Sequence, residues 1–193
     1  IYVMPGSFMM GNKHEKDACP VHKVTLTKGF WLGKYEVTQE QWQRVMGTNP
    51  SETKGDKRPV DSVSWNDCQE FIRRINTMLG GDKVRLPTEA EWEYACRAGG
   101  LDDDIDEKKK SEMGWFADNS GKVSQLVGMK LANAWGFHDM YGNVWEWCND
   151  WRDSNGGYPK KDVVDPIGPS SGSARIARGS SFWHKLGNAL FRN

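Results

Sequence analysis

Residues 133–147 read Asn133-Ala-Trp-Gly-Phe-His-Asp-Met-Tyr-Gly-Asn-Val-Trp-Glu-Trp147. Four Trp or Phe rings, Trp135, Phe137, Trp145 and Trp147, stand beside Asp139, Asn143 and Glu146, with Gly136 and Gly142 as turn residues. Two carboxylates and the backbone carbonyls of a glycine turn are the oxygen set that a hard cation such as calcium takes. The competing reading is that these polar groups cap turns and satisfy buried backbone. Either way, rings must hold much irregular backbone here, because the helical period is lost beyond Gly100 and only short strand fragments are legible.

Upstream the patterning is more regular. Ile1–Val3, Phe8–Met10, Val21–Leu26 and Phe30–Glu36 predict short strands, with Pro5-Gly6 as a turn. Thr38 followed by Glu40 and Gln41 starts a helix that Gly47 ends. Ser64 precedes a second, with Trp65, Cys68, Phe71, Ile72, Ile75 and Leu79 at helical spacing and Gly80-Gly81 as terminator. Thr88 and Glu91 form a capping box for a third, running toward Gly99. All three are expected to be amphipathic. Leu101–Lys110, almost entirely charged, reads as a solvated insertion loop, and it lacks the glycine and terminal glutamate of a calcium loop. Beyond Gly100 the helical period is lost, so the fold class is α+β with much irregular structure. Trp31, Trp42, Trp65, Trp92, Trp135, Trp145 and Trp147 are expected to be mostly buried, since each ring covers a large area.

Composition narrows the function. The 193 residues suit one domain, 1–193. Twenty-six Lys and Arg balance 26 Asp and Glu, for a net charge of zero, which argues against nucleic acid or an anionic membrane surface as partner. No apolar run reaches the roughly 18 residues of a membrane span, and a soluble chain is expected. The start at Ile1, with neither initiator Met nor signal peptide, is what a mature fragment would show. Cys19, Cys68, Cys96 and Cys148 contain no CxxC pair, and four free thiols are expected. The histidines at 14, 22, 138 and 184 make no metal motif, and no nucleophile elbow or phosphate loop is present.

Seven motifs in order carry a resemblance: Met4-Pro-Gly-Ser-Phe-Met-Met-Gly11, Tyr35-Glu-Val-Thr-Gln39, Pro59-Val-Asp-Ser-Val-Ser-Trp65, Arg85-Leu-Pro-Thr-Glu-Ala-Glu-Trp-Glu-Tyr94, Asn133-Ala-Trp-Gly136, Gly142-Asn-Val-Trp-Glu-Trp147 and Arg178-Gly179. Together they resemble the formylglycine-generating-enzyme/sulfatase-modifying-factor family. The resemblance implies a C-type-lectin-like domain with helices packed on a small twisted antiparallel sheet. It also implies one structural calcium site, using the side chains of Asp139 and Glu146 and the carbonyls of Gly142 and Val144. A second family site near Asn119 lacks its carboxylate, because Gly128 stands in the aspartate's place. The copper-binding cysteine pair of the enzymes would fall at His184 and Ala189. Ala supplies no thiolate for a soft metal, so neither copper nor iron, nor the oxidase activity, is expected.

The tail, 175–193, resembles the diversified region of variable proteins of diversity-generating retroelements, some of which use this fold. Ser180, Phe182, His184, Leu186, Asn188 and Leu190 are residue types that adenine-directed mutagenesis of AAY-type codons can produce, and they alternate with Ser181, Trp183, Lys185, Gly187 and Ala189. An extended tail would put the first set on one face. The candidate ligand-binding set is Ser180, Ser181, Phe182, Trp183, His184, Leu186, Asn188 and Leu190. Aromatic anchors among adaptable polar neighbours favour a protein ligand over a carbohydrate. The expectation is a monomeric, non-enzymatic ligand-binding protein, displayed outside the cell or at its surface, with any membrane attachment through a lipid anchor outside this stretch. A fixed scaffold or binding domain of the same family is the alternative, ahead of an oxidase.

Overall fold

The computed structural model describes residues 1–13, 18–100, 106–153 and 157–186. Along the chain run β1 (Tyr2–Val3), β2 (Gly6–Met10), β3 (His22–Leu26), β4 (Phe30–Trp31), α1 (Gln39–Met46), α2 (Trp65–Leu79), α3 (Glu89–Cys96), α4 (Glu107–Met113), β5 (Glu146–Trp151), β6 (Val163–Val164) and β7 (Arg175–Arg178). The class is α+β, as the sequence predicts. The strands form three small sheets: β1 with β4, β2–β3–β6, and β5 with β7. The pairing is antiparallel except for β3 with β6, which is parallel. Alternation works where expected, with Phe8 and Met10 of β2 and His22, Val24 and Leu26 of β3 turned inward.

The caps follow from local chemistry. Thr38, Ser64 and Thr88 each accept a hydrogen bond from the N3 amide, while Gln41, Asp67 and Glu91 return the bond to the cap amide. Gly47 and Gly80 close α1 and α2 in the left-handed conformation, at φ 80° and 68°. Trp42 of α1 stacks on Phe71 of α2, with centroids 4.8 Å apart.

Helix α3 departs from expectation. It is buried on every side, including Glu89, Glu91 and Glu93, rather than amphipathic. Its acids are held by cations and donors far away in sequence. Glu93 Oε1 accepts from Arg97 Nε and from the Gly11 amide, both at 2.8 Å, and Oε2 accepts from Arg178 Nη2. Arg178, fully buried in β7, also reaches Glu89 at 3.5 Å, and Glu89 accepts from the Tyr158 hydroxyl at 2.8 Å. Burial alone would raise the Glu93 carboxyl, but the Arg178 and Arg97 guanidiniums outweigh it and hold the group below the ordinary glutamate range.

Other expectations are corrected. The strand forecast over Phe30–Glu36 is only Phe30–Trp31. Trp31 is 78% exposed, leaning on Tyr2 at 5.3 Å. Trp42 and Trp92 are buried, whereas Trp65, Trp135, Trp145 and Trp147 are half-buried, covering loops rather than filling the centre. Part of the insertion is helical: Asp106 caps α4 by accepting from the Lys109 amide at 2.7 Å, and buried Met113 anchors it. Residues 101–105 of that insertion lie outside the described residues. All four cysteines are free thiols, but only Cys96 and Cys148 are buried.

Removing one member of a buried ion pair strands the other, which typically costs about 3–5 kcal/mol. Glu93→Gln is therefore expected to lower the unfolding free energy by about that amount near neutral pH, measured by urea titration. A carboxyl depressed in the folded state stabilises above its unfolded pKa of about 4.3 and loses that contribution as pH falls through the folded value. The gap between wild type and Glu93→Gln should accordingly be complete above about pH 4.5 and shrink on further acidification. A gap that does not change with pH would contradict the assignment.

Candidate functional site

The 139–146 segment links α3, the Tyr35–Val37 stretch and the turn after β7. Asp139 and Asn143 take positive φ, 58° and 55°, and Gly142 takes 78°. A Cβ on Gly142 would stand 2.2 Å from the Trp115 carbonyl oxygen, so only glycine fits this close crossing. Asn143 is fully buried and tolerates the left-handed conformation because its side chain is saturated. Its Oδ1 accepts from the Gln125 amide at 2.8 Å, and its Nδ2 donates to Glu36 Oε2 at 2.7 Å and to the Gln125 carbonyl at 3.3 Å.

Glu36 is the residue that sequence reasoning missed. Its Oε1 accepts from the Val144 amide at 3.1 Å, and it lies in the same electrostatic neighbourhood as Asp139 and Glu146. Burial, then the charges of Asp139 and Glu146, drive its carboxyl well above the ordinary range. Burial also raises Asp139 and pushes Glu146 up to about 8. Asp139 Oδ2 accepts from the Gly128 amide at 2.6 Å, while Oδ1 is buried with no hydrogen-bond partner. Three crowded carboxylates with an orphan oxygen form an environment that a cation would relieve. Among the described residues, no three His, Cys, Asp or Glu side chains converge closely enough to hold a metal by themselves. A cation here would need backbone oxygens as well.

Beyond Arg178 the chain leaves the sheet, and the expected alternation fails. Gly179 and Ser180 take positive φ, 96° and 70°, and Phe182-Trp183 is a turn. Ser180 and Ser181 are buried, Phe182 and Leu186 are half-buried, and Trp183, His184 and Lys185 are exposed. Leu186 packs against the core rather than facing solvent with His184. Asn188, Ala189 and Leu190 lie outside the described residues. The turn is tied down by its backbone: the Phe182 amide donates to the Asn143 carbonyl at 2.8 Å, Ser120 Oγ donates to the Phe182 carbonyl at 3.2 Å, and the Ala117 amide donates to the His184 carbonyl at 3.0 Å. The Ser181 hydroxyl meets His184 Nδ1 at 2.9 Å, and the imidazole stands edge-on to Trp145 at 5.4 Å. Asn143 thus serves the carboxylate cluster through its side chain and the exposed turn through its carbonyl.

Comparison with known proteins identifies the family and the fold. Residues 1–191 match the family described as sulfatase-modifying factor enzyme 1-like domain. The chain is 32% identical to the chaperone protein LppX of Paenibacillus barcinonensis, over 86% of this chain and 85% of that protein. It is 35% identical to the formylglycine-generating enzyme of Streptomyces coelicolor, over 79% of this chain and 50% of the enzyme, so it spans about half that enzyme's length. Among solved structures, Treponema denticola variable protein 1 superposes with a TM-score of 0.89 at 29% identity, covering 100% of this chain and 87% of that one. Matched from residue 1 to residue 191 and sharing the architecture of that variable protein, the chain belongs to the sulfatase-modifying factor enzyme 1-like family.

Proposed function

We propose that this domain is a non-catalytic scaffold that binds a protein ligand through the turn after β7. The observation that carries the reading is the division of labour in residues 182–185: backbone bonded to Asn143, Ser120 and Ala117, and side chains of Trp183, His184 and Lys185 exposed at the surface, with His184 steadied by the Ser181 hydroxyl and the edge of Trp145. A rigid loop with a large aromatic anchor loses little entropy on binding, which is how a hot spot is built. Phe182 and Leu186 flank the contact, Ser180 and Ser181 shape it from within, and Asn188 and Leu190 extend it along the sequence. Likeness to a variable protein supports the further proposal that these positions are diversified by a retroelement and that the monomeric domain is displayed outside the cell or at its surface.

The oxidase reading draws on the identity to a formylglycine-generating enzyme. The thiols weigh against it. Burial pushes Cys68 and Cys96 up to about 12 and raises Cys148 as well, so none of the three is a ready thiolate near neutral pH. Copper-loaded protein incubated with a cysteine-containing sulfatase peptide should give no formylglycine by mass spectrometry, and a copper-dependent product would overturn the non-catalytic reading.

Asp139, Glu146 and the Gly142 and Val144 carbonyls would hold a calcium ion, with Glu36 supplying further negative charge. Bound there, the ion would cross-link the 139–146 segment and neutralise its crowded carboxylates. Calcium should raise the melting temperature by several degrees over an EGTA-treated sample, since ligands that bind only the native state stabilise it. Asp139→Ala with Glu146→Ala should remove that response; an identical transition with and without calcium in the wild type would dismiss the site.

For the binding surface, Trp183→Ala, His184→Ala and Lys185→Ala together should leave the melting temperature within a few degrees, because exposed side chains contribute little to stability. A display library randomised at these three positions should yield folded members that bind unrelated protein targets. Loss of folding across the library would show the turn to be structural. A near-identical template repeat beside a reverse transcriptase in the genome tests diversification separately, and its absence would favour a fixed binding domain.

A further inference from the structure

The β5–β7 ribbon turns Cys148, Asp150, Ile176 and Arg178 inward, while Trp147, Trp151 and Arg175 lie on its other side, beside the first turn of α2. They line a pocket of about 540 Å³ together with Trp65, Asn66 and Ser173, and none of residues 180–186 takes part. That volume is within the range of small-molecule sites.

The walls have a specific chemistry. The Arg175 guanidinium is clamped between two indoles, 3.7 Å from the Trp65 ring centre and 3.5 Å from that of Trp151. Its Nη1 donates to the Asn149 carbonyl at 2.5 Å, which fixes the plane, while Nε has no hydrogen-bond partner. Among the described residues no carboxylate comes within ion-pair distance of it. Burial lowers its pKa, and the more distant Asp150 carboxylate offsets this only in part. The indole N–H groups of Trp65 and Trp147 are already spent, on the Cys148 carbonyl at 3.0 Å and the Val63 carbonyl at 3.1 Å. The rings therefore offer the pocket apolar surface without those donors. Asn66 and Ser173 add exposed amide and hydroxyl groups at the rim.

We propose that this pocket binds an acidic saccharide, with a sugar ring packed on Trp147 and its carboxylate or sulfate paired with the Arg175 guanidinium that Trp65 and Trp151 hold in place. Arg pre-set in a fixed plane suits a planar or tetrahedral oxyanion. Aromatic faces suit the C–H side of a pyranose, and short polar rim groups suit its hydroxyls. An acidic peptide would satisfy the charge but leave the flat indole surface without a matching face.

The test uses sulfated and unsulfated chondroitin disaccharides against neutral lactose, followed by tryptophan fluorescence and titration calorimetry on the whole chain. The acidic disaccharides should bind saturably and at least about tenfold more tightly than lactose, as loss of a charge-assisted pair would dictate. Arg175→Gln should remove that preference. Since Arg175 also packs between two rings, Asn66→Trp provides a second test: placed at an exposed rim position, it should block binding while keeping the melting temperature within a few degrees. The triple alanine variant of Trp183, His184 and Lys185 should bind the disaccharides unchanged, which separates this site from the turn after β7. Equal affinity for lactose, tighter binding of an acidic peptide such as oligoglutamate, indifference to Asn66→Trp, or no binding of either acidic disaccharide would overturn the proposal.

Discussion

Arg178 is fully buried, and its charge must be met inside the domain. Glu93 and Glu89 meet it from α3, and Glu93 is shared with Arg97 and with the Gly11 amide at the end of β2. One carboxylate therefore joins the N-terminal sheet, the central helix and the last strand, elements that short pairings alone would hold weakly. Leaving any member uncompensated in the interior would be costly, so the network fixes one arrangement of these parts. The chain emerging from Arg178 begins from a fixed point.

That fixed point matters because the next residues are irregular. Gly179 and Ser180 reverse the chain with positive φ, and Asn143 receives it through its carbonyl. The Asn143 side chain holds Glu36 and the Gln125 backbone at the same time, so the exposed turn and the carboxylate cluster share a support. A turn built in this way asks little of the side chains at 183–185. Its shape is set mainly by backbone bonds to Asn143, Ser120 and Ala117, with the Ser181–His184 bond as the one side-chain tie among the three exposed positions, which lets those positions change without loss of the fold.

What could be read from the sequence was what local chemistry decides. Thr38, Ser64 and Thr88 announce helix starts because a cap oxygen and its N3 partner sit within four residues. Phe8 and Met10 alternate because one face of a strand is buried. The Asp139–Glu146 segment stood out because acids among rings are chemically odd. The misses are long-range. Glu89 and Glu93, one helical turn apart, look solvent-facing until Arg178 is placed beside them in space, as does Glu91 on the opposite side until Arg85 is placed. Glu36 sits in a short motif with no sign that Asn143, more than a hundred residues on, donates to it. The alternation read into the tail fails from Ser180 onward because the chain turns at Gly179, and that glycine was a local hint of the turn. Helix α4 carries a cap and one apolar anchor but no period, so its signal was too weak to separate from a charged loop.

Native-state hydrogen exchange of the Phe182 amide tests the central claim, that a fixed backbone carries replaceable side chains. This amide donates to the carbonyl of fully buried Asn143. It should exchange about as slowly as the Trp92 amide in α3, and remain slow when Trp183, His184 and Lys185 are all alanine. Exchange at the rate of an unstructured chain, or protection that vanishes with those three side chains, would show that the turn is organised by the residues it displays, and the account would fail.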